Sequence, residues 1–184
     1  MWKGISAIVI LFYIFALLQN SFFVHFNLFG VVPDIVFILY FSCAFFLPKI
    51  FHYPDRYGIF WTTFLAVTAG FFSGIFLYPN LGLSIICFVV VGFILRQIQL
   101  SLLRKDGRYP FLYFLSLFII SLLGYYLLVG VSANFLTPPK FLVFFTSKTI
   151  FSVIYDSVLA VIFFYIYDIF SKNNPNTRQL KLFR

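Results

Sequence analysis

The chain is predicted to be an all-α integral membrane protein, a bundle of six transmembrane helices with both termini cytoplasmic, on three observations. Of its 184 residues, 62% are hydrophobic and 10% charged, where a soluble domain carries roughly a quarter charged residues. The apolar residues fall into six runs, and a helix crosses a bilayer with about 20 of them. The basic residues are divided unevenly between alternate links. Lys3, the 49–58 link, the 96–109 link and the tail hold eleven, while the opposite side holds only Lys140 and Lys148. Lys and Arg concentrate on the cytoplasmic side of membrane proteins, so both ends are expected inside, in the inner (cytoplasmic) membrane of a cell. Residues 1–171 read as one membrane domain and 172–184 as a flexible basic cytoplasmic tail. The net charge of +8 is accounted for by these links and does not call for a nucleic-acid partner.

The first span, Ile5 to Leu18, follows Trp2-Lys3 and resembles a signal peptide in charge and core. Leu17-Leu18-Gln19-Asn20-Ser21 offers no small-x-small cleavage site, so the span is expected to be retained. A short uncharged link leads to Pro33-Asp34, which reads as a helix start. Proline suits a first turn because its missing N–H would be unpaired there, and the carboxylate faces the positive end of the helix dipole. The second span runs from about Val32 to Leu47 and ends at Pro48-Lys49. The third, Ile59 to Leu77, carries Thr62, Ala66, Gly70 and Gly74 four residues apart, a ridge of small side chains of the kind that lets helix backbones approach closely in lipid. Packing within the bundle is the plainer use of that ridge, docking of a partner helix or lipid the other. Tyr78-Pro79-Asn80 turns into a fourth span, Leu81 to Leu95, which continues as an amphipathic stretch with Arg96 snorkelling at the interface. Pro110 opens the fifth span, which ends near Val129. Residues 131–140 form a non-basic outer link, 141–147 an interfacial segment, and Thr149 to Phe170 the sixth span.

The chemical inventory is thin. There is no HExxH, GxSxG or phosphate-cradling glycine loop; no catalytic residue, metal site or cofactor is expected. His25 and His52 belong to opposite sides. Cys43 and Cys87 lie inside apolar runs and read as small buried hydrophobes. Thirty phenylalanines are what an AT-rich genome would supply, and no ligand path follows from them. One carboxylate stands out. Asp156 lies near the middle of the sixth span, on a stripe with Thr149, Ser152 and Ala160. A central Asp costs ~3 kcal/mol on insertion scales, which about a dozen Leu, Ile, Val and Phe residues offset. The helix inserts, and Asp156 must face the bundle. It can hold helices together by hydrogen bonds, meet a partner or a cationic ligand, or carry protons. Asp34 reads chiefly as a helix-start residue.

Leu17-Leu18-Gln19 closing span one, Gly30 and Pro33-Asp34 opening span two, Tyr40 to Ala44 within it, Gly70-x-x-x-Gly74, Leu81-Gly82, and Tyr155-Asp156 in span six together resemble the MreD family of bacterial rod-shape-determining membrane proteins. The likeness covers residues 10–90 in order and spacing, and 91–150 in layout only. Members often carry an Asp one turn after the glycine ridge, where this chain has Tyr78, and often Asn where it has Asp156. The resemblance implies a noncatalytic scaffold of the cell-elongation complex that directs side-wall peptidoglycan synthesis. Its partners would be the bitopic protein MreC and membrane lipid, alongside MreB filaments, the glycosyltransferase RodA and its transpeptidase. On that basis Gln19, Pro33, Asp34, Ser152 and Asp156 are candidate partner-binding or structural polar residues, and Thr62, Ala66, Gly70 and Gly74 candidate helix-packing residues. The rival reading is the substrate-binding subunit of an energy-coupling-factor vitamin transporter, a six-span bundle to which the MreD family looks related in fold. That subunit would be expected to carry an Ala-x-x-x-Ala docking surface on its first span, whereas Ala7 and Ala16 are nine residues apart. A vitamin pocket would draw on His25, Asn27, Asp34, Asn134 and Lys148.

Overall fold

The computed structural model describes residues 2–27, 30–51, 55–76, 81–102, 111–134 and 147–173. It is all-helical: α1 (Trp2–Ser21), a single 3-10 turn (Phe23–Phe26), α2 (Ile35–Phe51), α3 (Asp55–Phe76), α4 (Leu81–Leu102), α5 (Phe111–Asn134) and α6 (Ser147–Asn173). Stretches of α3, α4, α5 and α6 are long and apolar enough to cross a membrane, while the apolar parts of α1 and α2, Ile5–Ser21 and Ile35–Phe46, are shorter. The chain is a multi-span helical membrane protein. Residues 141–146 of the expected interfacial segment, residues 135–140 of the outer link and the tail beyond Asn173 fall outside the described residues.

Several boundaries differ from the sequence reading. α2 begins after Pro33-Asp34 rather than with them, and it runs through Pro48-Lys49 to Phe51. Proline in a helix removes one backbone hydrogen bond. Here that loss falls in the last turn, just after Phe46, which is stacked on Tyr167 of α6 at 3.7 Å. α3 starts at Asp55 inside the expected basic link and α5 reaches Asn134, whereas α4 continues to Leu102 as the amphipathic stretch after the fourth span was expected to.

The helices are arranged around α2. Every side chain from Ile35 to Phe46 except the half-buried Cys43 is buried, as expected of a helix that is apolar on all sides. Phe37, Phe41 and Phe45, four residues apart, form a column along one side. Phe37 meets Phe88 of α4 and Phe118 and Tyr125 of α5. Phe41 and Phe45 are set edge-on to Phe114 of α5. Such pairs contribute ~0.5–1.5 kcal/mol each beyond the area they bury, so a large part of the aromatic content is the packing of this core.

The small ridge of α3 lies against α4. A Cβ on Gly70 would come 2.5 Å from the Cα of Ile85, and one on Gly74 would come 2.7 Å from the Cα of Leu81. Ala66 is fully enclosed, and the Thr62 methyl borders Gly92 of α4. Backbone therefore meets backbone along this hairpin. At its far end the Arg96 guanidinium is seated on Gly58, which holds the start of α3 to α4.

Gly92 serves a different purpose. The Tyr40 hydroxyl donates to the Phe88 carbonyl at 3.2 Å and occupies the space where a Gly92 side chain would be. Gly92→Ala is expected to lower stability by ~1–3 kcal/mol through overpacking, and Tyr40→Phe in the same chain should restore part of it by vacating that space. Thermal melts of the two single variants and the double variant in detergent check this; independent, additive losses would refute the contact.

Candidate functional site

The polar residues singled out from the sequence meet at one place, the head of α2. A helix that starts inside a membrane domain has no water to receive its first N–H groups, and each unpaired group there costs several kcal/mol. The chain supplies side-chain acceptors from other helices. Asp34 is the N-cap: its Oδ1 accepts from the Phe37 amide at 3.0 Å, and its carbonyl accepts the Ile38 amide at 3.0 Å. Gln19, near the end of α1, accepts the Val36 amide through Oε1 at 3.0 Å. The Ile35 amide donates to the Pro33 carbonyl at 3.2 Å. Asp156 of α6 accepts the amide of Asp34 itself through Oδ1 at 2.9 Å.

The second oxygen of Asp156 accepts from the Tyr126 hydroxyl of α5 at 2.8 Å and from Ser152, one turn away on α6, at 3.4 Å. Tyr126 and Ser152 are 2.6 Å apart. Gln19, Pro33, Asp34, Ser152 and Asp156 are all buried, Asp156 completely. Four helices are thus tied at one point: α1 by Gln19, α2 by its amides, α5 by Tyr126 and α6 by Asp156. Asn20 extends the network by donating to the Phe76 carbonyl at the end of α3, 3.2 Å away. Gln19 and Asn20, adjacent in sequence, serve two different neighbours.

The register of the cluster fixes its depth. Asp156 is eight residues along the apolar stretch Lys148–Ile169, which at 1.5 Å per residue is ~12 Å from its start. The head of α2 therefore meets α6 about two turns in from the Lys148 end of that stretch. Tyr155 donates to the Phe26 carbonyl at 3.5 Å, and the Lys148 side chain lies beside Gly30. Gly30 has φ +81°, a left-handed conformation that glycine adopts without strain. Phe22, Val24 and Phe26 on this segment are exposed, forming an apolar lobe where a plain uncharged link was expected.

The Thr62, Ala66, Gly70 and Gly74 ridge lies apart from the cluster, in the α3–α4 hairpin. Sequence reasoning missed Tyr126, whose neighbours carry no polar signal, and Asn20. Of the residues weighed for a vitamin pocket, Asp34 is turned into the helix cap, His25 is bound to the Ser21 carbonyl at 3.0 Å, and Lys148 is exposed; Asn134 has no described side-chain placement. Cys43 and Cys87 are in no disulfide, and no group of three or more His, Cys, Asp or Glu side chains gathers among the described residues. No family model, curated protein or solved structure matches the chain.

Proposed function

We propose that the protein is a noncatalytic scaffold of the MreD type, a six-span bundle with both termini cytoplasmic that holds the bitopic protein MreC in the complex directing side-wall peptidoglycan synthesis. The observation that carries this reading is the cluster at the head of α2. Gln19, Pro33-Asp34 and Asp156, three of the elements on which the resemblance rests, are spent on joining α1, α2, α5 and α6. Polar groups used in this way set the relative positions of helices and offer no open site to a substrate. Work is then left to the outer surfaces. α6 has the least enclosed of the four long apolar stretches, with 17% of it buried, and it presents Ile150, Ile154, Val158 and Ile162 outward. Because lipid solvates apolar helices as well as a partner does, a bound span must rely on shape and close packing, which a rigid α6 would offer.

The test is co-purification: the tagged chain, extracted in mild detergent from cells with native MreC, should retain MreC, and its depletion should widen the cells. Recovery without MreC, or with a transporter's energising subunits, would refute the reading. The topology is tested separately. Cysteines placed at Asn27, Asn80 and Asn134 should react with an impermeant maleimide in intact cells, while one at Asn174 should react only after permeabilisation. Labelling of Asn174 in intact cells would reverse the orientation.

A further inference from the structure

We infer that the Asp34–Asp156 pair is a binding site for one small cation, a proton or an alkali ion. The two carboxylates come from different helices, are both enclosed, and repel one another. What faces them is uncharged: Gln19 from α1, Tyr126 from α5 and Ser152 from α6. Neither carboxylate is paired with a basic side chain among the described residues. Lys148 is two turns away on α6 with its side chain beside Gly30, and His25 is exposed and bound to Ser21.

The start of α2 carries about half a positive charge, enough to offset part of one carboxylate and not two. The four acidic oxygens are also unequal. Asp34 Oδ1 and both oxygens of Asp156 receive hydrogen bonds. Asp34 Oδ2 is buried with no close hydrogen-bond partner; Gln19, whose oxygen is taken by the Val36 amide, offers the carboxylate its NH₂ at longer range. A buried anionic oxygen with no close donor is poorly compensated for its lost hydration. A small cation shared with the neighbouring carboxylate supplies the missing partner and reduces the pair to a single negative charge. The two carboxylates and the Tyr126 and Ser152 hydroxyls present oxygens, the ligand type that hard cations take. The site does not depend on the partner assigned above.

Thermal unfolding of the purified full chain in detergent tests this without any partner present. Sodium chloride is compared with N-methylglucamine chloride at fixed ionic strength, and each series is run from about pH 8 to about pH 5. A ligand that binds only the folded state stabilises it by mass action, so the melting temperature should rise by about 3–6 °C for each tenfold increase in the cation above its dissociation constant. A rise with sodium at constant pH identifies an alkali ion; a rise on acidification alone identifies a proton. Asp156→Asn carries the charge of the loaded pair and should melt near the loaded wild type with no response to either; Asp34→Asn, which keeps the cap acceptor, is the second variant. His25 and His52 remain in both variants and control for their own titration. A wild type indifferent to sodium and pH, or a response kept in full by both variants, would overturn the site.

Discussion

Replacing Gly70 by leucine is expected to lower the stability of the bundle by at least ~1–3 kcal/mol, the usual cost of adding volume to a packed interior, and to open the α3–α4 hairpin. The atoms in the way are the Cα and N of Ile85 at 2.5 and 2.9 Å from the position of the new Cβ. Backbone atoms inside a helix cannot swing aside as the end of a side chain can. Gly74→Leu should behave similarly against Leu81, whose Cα is 2.7 Å away. Gly124→Ala is the control, since nothing lies within 4 Å of its added methyl group, and substitutions in open positions usually stay within about 0.5 kcal/mol. Melting curves in detergent decide it. If Gly70→Leu and Gly74→Leu unfold with the wild type, the ridge faces lipid and the α3–α4 contact is wrong.

The ridge was legible because its signal is local: four small residues at one helical spacing fall on one face whatever the rest of the chain does. Its partner was not, since nothing in Leu81 or Ile85 marks them as the neighbours of a glycine. The same division runs through the polar cluster. Pro33-Asp34 announces a helix start from composition alone, and Asp156 announces that α6 must turn one face inward. That these two signals concern the same point in space is a tertiary fact. Tyr126 stands beside Tyr125 among twelve tyrosines and cannot be told from them until α5 is set against α6.

The second large effect concerns Asp156, and it separates a scaffold from a transporter or proton relay. Asp156→Leu removes the acceptor for the Asp34 amide and for Tyr126 together, leaving the buried Asp34 amide unpaired at ~1–3 kcal/mol, returning Tyr126 to Ser152 and releasing α6 from the head of α2. Asp156→Asn keeps an oxygen for the Asp34 amide, and its NH₂ can donate to Tyr126, whose own proton then turns to Ser152 at 2.6 Å. The network survives with the charge removed. The most direct measurement is therefore MreC co-purification and cell width for the two variants side by side. The account predicts near wild-type recovery and width for Asp156→Asn, with weakened recovery and distorted cells for Asp156→Leu. Loss of function in Asp156→Asn with the complex intact would contradict it.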